Sequence, residues 1–128
     1  MERKIGIIGI GNVGSMLLRK FVELNLFSEE NIYVANRSPE KLESLRGKYP
    51  SINICNSNIE LTKKCSNILL CVEPLNLPYV LLEIKPYINE KTYLMVSTSM
   101  VKHEDIRKFH GGSITIFMPT LISMVNGG

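Results

Sequence analysis

The run Lys4-Ile5-Gly6-Ile7-Ile8-Gly9-Ile10-Gly11-Asn12-Val13-Gly14 decides how this chain folds. Residues 4–9 are continuously apolar after the lysine, the pattern of a strand buried on both faces. Beyond the glycines, Val13, Met16, Leu17, Phe21 and Leu24 recur at helical spacing, to about Asn25. A strand, a Gly-x-Gly-x-x-Gly loop and an amphipathic helix in direct succession form the first unit of a dinucleotide-binding fold. Gly9 permits the tight turn, Gly11 lets the backbone approach a pyrophosphate, and Gly14 lets helix and strand pack closely. Free N–H groups at the helix start face the anion, so the whole loop, with Ile10, Asn12 and Val13, is a candidate cofactor-binding segment.

The same alternation continues outward from this unit. Asn31 to Ala35 reads as a second strand, and Ser38-Pro39 supplies an N-cap and a first-turn proline for a helix to about Lys48. Ile52 to Cys55 predicts a short third strand, residues 57–65 a short helix, and Asn67 to Val72 a fourth strand. Leu77, Val80, Leu81 and Ile84 paint one helix face apolar before Pro86 limits it. Thr92 to Val96, His103 to Phe109 and Ser113 to Phe117 complete the pattern as strand, helix and strand. The expected fold is α/β, a Rossmann-type doubly wound and mainly parallel sheet of six strands with helices on both faces. Ligands bind such sheets beyond the carboxyl ends of the strands, at the point where strand order reverses.

With 128 residues the chain suits one domain, residues 1–128, which removes roughly two thirds of its unfolded surface from water. The net charge of +3 is small and its cations are scattered, which argues against nucleic acid as a partner. Apolar stretches fall short of the roughly 20 residues of a membrane span, and the N-terminus lacks a signal-peptide pattern. A cytoplasmic location is expected, with no membrane partner. Cys55, Cys65 and Cys71 have no metal-ligand spacing and are an odd number, so they read as core thiols rather than a disulfide framework or a metal site.

The end of the second strand selects the cofactor. An Asp or Glu there would hydrogen-bond an adenosine ribose and repel a 2′-phosphate, but the chain carries Asn36-Arg37-Ser38. A guanidinium beside a hydroxyl suits a phosphate, so NADP(H) is expected in preference to NAD(H). Ser38 also reads as the helix N-cap, and the two roles can coexist. Cys71-Val72-Glu73-Pro74-Leu75-Asn76, after the fourth strand, and Ser97-Thr98-Ser99-Met100, after the fifth, fall on the nicotinamide half by position. The alternative is that these polar loop residues satisfy their own turns. His103 and His110 are expected to be exposed rather than catalytic. The catalytic residues stay unassigned, because no Ser/His/Asp arrangement or paired carboxylate emerges.

Five stretches carry a family resemblance: Ile7 to Gly14, Asn36-Arg37-Ser38-Pro39-Glu40-Lys41, Cys71 to Pro74, Val96 to Ser99, and Phe117-Met118-Pro119-Thr120. In these the chain resembles the N-terminal domain of pyrroline-5-carboxylate reductases, especially the late competence protein branch of the ComE operon. The resemblance implies an oxidoreductase of proline biosynthesis, in which NADPH delivers hydride to the imine carbon of 1-pyrroline-5-carboxylate. It implies that Asn58 touches the adenosine side and that Val72 to Pro74, with Ser97 and Thr98, contact the cofactor nearer the nicotinamide. It also implies a helical C-terminal domain that forms the homodimer and most of the imino-acid pocket. These 128 residues are then the cofactor half, not competent for turnover alone. The family usually carries Lys where this chain has Glu73, and Met-Pro-Asn-Thr-Pro where it reads Met118-Pro119-Thr120-Leu121-Ile122. Those departures keep open a non-catalytic or regulatory dinucleotide-binding relative, and other NADP-linked oxidoreductases share the same first domain.

Overall fold

The apolar run at the N-terminus becomes the centre of the sheet. In a computed structural model, which describes residues 3–98 and 101–118, β1 (Ile5–Ile8) is buried throughout. Ser99, Met100 and the tail from Pro119 lie outside the described residues. β1 pairs in parallel with β2 (Ile32–Ala35) on one side and with β4 (Asn67–Leu70) on the other. β3 (Asn53–Ile54) joins β2, while β5 (Tyr93–Ser97) and β6 (Ile114–Phe117) extend the sheet beyond β4. Every pairing is parallel and the order is β3-β2-β1-β4-β5-β6. Strand order reverses between β1 and β4, so a crevice opens above β1.

Helices cover both faces. α1 (Asn12–Glu23) and α2 (Pro39–Lys48) bury Leu17, Leu18, Leu42 and Leu45 against Ile5, Ile7, Ile32 and Val34. α3 (Asn58–Lys64), α4 (Leu77–Ile84) and α5 (His103–Arg107) bury Leu61, Leu77, Leu81, Ile84 and Ile106 on the other face, against Ile8, Ala35, Leu70 and Val96. The alternation along each strand assigns neighbouring residues to opposite cores, as a sheet covered twice requires. Full burial of each such aliphatic side chain stabilises the fold by about 1.5–3 kcal/mol. The helices on the α1 side connect β1, β2 and β3. Above β5 and β6 on that side Met95 and Phe117 stay half-buried and Thr115 is exposed.

Local signals act as the sequence predicts at most ends. Asn25 takes a left-handed conformation (φ 55°) just past α1, where the helix stops. Pro39 occupies the first turn of α2, but the Ser38 hydroxyl bonds the Glu40 carboxylate instead of capping the helix. α5 ends at Arg107, short of the predicted Phe109, and β3 has two residues where four are predicted.

His110 departs from expectation: it is buried, and its Nε2 lies 2.7 Å from the Thr92 carbonyl oxygen. Its short peptide Phe109-His110-Gly111 folds back under β5, and burial is affordable because that carbonyl takes a ring hydrogen. His103 is exposed, 3.2 Å from the Ile114 oxygen. Among the described residues no helix is long and apolar enough to cross a membrane, and no group of His, Cys, Asp and Glu could hold a metal ion.

The cysteines are free thiols, with Cys55 and Cys65 buried and Cys71 half-buried. Burial pushes Cys55 up to about 11 and Cys65 and Cys71 up to about 12, from an ordinary value of 9.0. The unfolded chain therefore releases thiol protons before the folded one does. Stability from these thiols is complete below pH 9 and is lost as pH rises toward 11–12. Urea unfolding at pH 8 and pH 10.5 is expected to show that loss, and a C55A/C65A variant a shallower one. An aromatic disulfide reagent at pH 8 should label no thiol of the native chain quickly and all of them in denaturant; rapid native labelling would contradict the packing.

Candidate functional site

Above β1 the chain turns sharply. Gly9 has φ +98°, and its N–H donates to the Ala35 oxygen at 2.9 Å, extending the pairing with β2 by one residue. A Cβ on Gly9 would lie 2.6 Å from the Cys71 oxygen, and one on Gly14 2.0 Å from the Gly9 oxygen. Strand end, loop and first helical turn are thus in direct backbone contact. Gly11 is the opposite case: it borders the crevice, and an added Cβ would meet nothing within 4 Å. α1 begins without a side-chain cap and without an acid in its first turn. The first helical bond runs from Ser15 N to Gly11 O, and the N–H groups of Asn12, Val13 and Gly14 have no acceptor among the described residues. Unsatisfied donors at the positive end of a helix dipole attract an anion.

Asn36 ties this loop to the next one. Its Oδ1 accepts from Ile10 N at 2.9 Å and its Nδ2 donates to Ser38 O at 3.1 Å. The amide is therefore engaged in holding two loops together. Arg37 and Lys41 border the crevice, are exposed, and form no ion pair among the described residues. Ser38 borders it too, with its hydroxyl on Glu40, whose carboxyl that bond holds below the usual carboxylate range.

The crevice, of about 1040 Å³, continues past β3 and is closed by α4. Asn56, Ser57 and Asn58 form one side. Ser57 Oγ accepts from Glu60 N at 3.0 Å, while a Glu60 oxygen accepts from Asn56 N at 2.6 Å, a reciprocal cap that starts α3. Asn58 Nδ2 donates to Glu83 Oε1 at 2.9 Å. The opposite side is Cys71, Val72 and Glu73, with Asn76, Tyr79, Val80 and Glu83 from the start and outer face of α4. Cys71 N donates to Ile8 O at 2.8 Å, which fixes the turn beside Gly9.

Of the residues selected from sequence, Gly9, Gly11, Asn36, Arg37, Ser38, Asn58, Cys71, Val72 and Glu73 border one crevice. Ile10, Asn12, Val13, Gly14, Pro74, Ser97 and Thr98 do not line it. Ile10 and Val13 pack into the core, Gly14 is buried against Gly9, and Asn12 is exposed. Ser97 and Thr98 are buried at the end of β5, where Thr98 N donates to Phe117 O at 3.2 Å. Asn76, which position also placed there, borders it as well, whereas Ile8, Lys41, Asn56, Ser57, Tyr79, Val80 and Glu83 were not selected. Lys41 was within reach of the sequence, since it ends the Asn36-to-Lys41 stretch that carries part of the family resemblance.

Comparison with known proteins places this geometry in a family. Residues 4–100 match the profile of a family described as "NADP oxidoreductase coenzyme F420-dependent". ComE operon protein 4 of Bacillus subtilis is 30% identical over 125 residues, 98% of this chain and 46% of that protein. The pyrroline-5-carboxylate reductase of Methanobrevibacter smithii is 33% identical over 91 residues, 71% of this chain and 36% of that protein. A crystal structure of Plasmodium falciparum pyrroline carboxylate reductase with NADP bound superposes with a TM-score of 0.74 at 27% identity, covering 91% of this chain and 42% of that one. The chain thus spans less than half the length of these relatives. With the glycine loop, the β2 turn and the fourth-strand turn all inside the matched region, the chain belongs to the NADP oxidoreductase coenzyme F420-dependent family.

Proposed function

We propose that this chain is the NADP(H)-binding domain of a pyrroline-5-carboxylate reductase-like oxidoreductase. The observation that carries the reading is the pair of unpaired cations, Arg37 and Lys41, in the same crevice as Gly11 and the uncapped start of α1. The residues present fit the dinucleotide: Gly11 opens onto space that a side chain would fill, and the donors behind it lack acceptors among the described residues. When bound, NADPH supplies a hydride. The chain's own part is to hold the pyrophosphate on the N–H groups of residues 12–14 and the 2′-phosphate between Arg37 and Lys41. Asn36 keeps those two anion sites at a fixed spacing. Reduction of a pyrroline carboxylate belongs to the same proposal and draws on the names of the relatives; the homodimer and a cytoplasmic setting rest on the family resemblance alone.

Glu73 favours a second reading. Its exposed carboxylate stands in the crevice wall, where it repels an anionic substrate. A regulatory relative that binds the dinucleotide without reducing an imine would tolerate that charge. Assay of the complete protein for NADPH oxidation with 1-pyrroline-5-carboxylate separates the two, since tight binding without turnover selects the regulatory reading. The 128-residue chain itself is expected to bind NADPH and not turn over.

Titration of NADPH and NADH by nicotinamide fluorescence tests the cofactor assignment. Arg37→Ala is expected to weaken NADPH by about tenfold or more, the value of a charge-assisted hydrogen bond, and to leave NADH unchanged. Equal loss for both dinucleotides would refute a 2′-phosphate contact. The glycines separate fold from binding. Gly14→Ala should cost about 1–3 kcal/mol of stability through overpacking. Gly11→Ala should keep thermal unfolding within about 1 kcal/mol of the parent, because its only structural cost is a poorer helix cap, yet remove NADPH binding.

A further inference from the structure

The solvent side of α4 is apolar, whereas the exposed residues of the other helices are polar or charged. Leu77, Leu81 and Ile84 are buried against the sheet, and Glu83 is the one charged residue between Leu77 and Ile84. On the side turned to solvent Tyr79 is 76% exposed and Leu82 62%, and Leu75, in the turn just before the helix, is 84% exposed. The backbone of that turn already follows the helix. Asn76 lies in the right-handed helical region, and Leu77 N and Val80 N donate to Glu73 O and Asn76 O. Leu75, Tyr79 and Leu82 therefore stand at i, i+4 and i+7 and form one stripe, the spacing of a seam between two helices. α2, by contrast, exposes Glu40, Lys41, Glu43, Ser44, Arg46 and Lys48. A helix apolar on every side is ordinarily buried on every side.

The stripe is complementary to itself. When two copies of α4 pack antiparallel about Tyr79, a residue a given number of positions after Tyr79 lies level with the one as many positions before it in the other copy. Leu82 then falls beside Leu75 of the second copy, twice by symmetry, around a central pair of Tyr79 rings. Lys85 and Glu73, six positions after and before Tyr79, come level at both ends. Both are exposed, and neither forms an ion pair among the described residues. A parallel pairing in register would instead set glutamate level with glutamate and lysine with lysine. We propose that α4 is a contact between two copies of this chain, an antiparallel helix pair centred on Tyr79. A seam of three side chains covers less than the roughly 800 Å² per partner of a standard interface, so the dimer is weak and reversible. It is separate from the dimer that the family resemblance assigns to a helical C-terminal domain, and it does not depend on the dinucleotide.

The test is sedimentation velocity of the 128-residue chain across micromolar to millimolar concentration. The native chain is expected to pass from monomer to dimer, and Leu82→Lys to weaken dimerisation by about tenfold or more, because symmetry removes two leucine contacts at once. Leu82 is exposed, so thermal unfolding of that variant should match the native chain. Tyr79→Cys reports the geometry: a residue on the twofold axis meets its own copy within disulfide reach, so mild oxidation should join two chains through this position. Arg19→Cys, exposed on α1 at the far face of the sheet, is the control and should cross-link much more slowly. The native thiols are buried or half-buried and do not compete. A single monomeric species at every concentration, a dimer unaffected by Leu82→Lys, or cross-linking of Tyr79→Cys no faster than of Arg19→Cys would each overturn the proposal and leave the stripe to a different protein.

Discussion

The ligand-binding end of this domain depends on backbone-to-backbone contact between the start of α1 and the end of β1. Gly14 lies so close to Gly9 that a methyl group would sit 2.0 Å from a carbonyl oxygen, and Gly9 is pressed against the Cys71 carbonyl in the same way. Three segments, from β1, β4 and α1, therefore meet without side chains between them. Had the contact been made through side chains, α1 would stand farther from the sheet, as packed helices and strands ordinarily do. Its free N–H groups would then lie away from the point where strand order reverses. Close contact converts a general property of helix ends into an anion site located above β1.

The rest of the crevice is arranged around that point by hydrogen bonds that a motif does not advertise. Asn36 spans from Ile10 N to Ser38 O, so the loop after β1 and the turn after β2 move as one. Charge divides across the opening: Arg37 and Lys41 stand on the β2 side, Glu73 and Glu83 on the β4 and α4 side. A ligand with phosphate at one end and a hydrogen-bond donor at the other is drawn in one orientation by this division alone.

The architecture was legible because its signals are local and repeated. The apolar run at Ile5–Ile8, the i, i+4, i+7 burial of Leu77, Leu81 and Ile84, and the proline at the start of α2 each specify their element without reference to the rest of the chain. The crevice was half legible. Residues immediately after strands could be located by topology, which found Gly9, Arg37 and Cys71, while Asn58 came only from the family resemblance. Tyr79 and Glu83 could not be found in that way, because the apolar stripe of α4 says which face is buried and nothing about what its outer face overlooks. Ser38 was read both as a phosphate donor and as a helix N-cap, and neither reading foresees the bond of its hydroxyl to the Glu40 carboxylate; nor does sequence show that Asn36 holds Ile10 N, since both bonds are set by the three-dimensional turn. His110 was placed in solvent because no sequence pattern announces that Thr92 offers it a buried acceptor.

The composition of the crevice also sets what this domain contributes to chemistry. Its walls come from the ends of β1 to β4 and from α4, with nothing from β5 or β6 among the described residues. The ionisable groups they offer are Arg37 and Lys41, the carboxylates of Glu73 and Glu83, the Tyr79 phenol and the Cys71 thiol, which burial pushes up to about 12 and so keeps protonated near neutral pH. A nucleophile would need a thiolate, and a general acid or base would need a group poised near the working pH. Burial keeps the Cys71 thiol from being that thiolate near neutral pH. What the geometry does supply is fixed backbone donors and fixed charge, features suited to holding an anion.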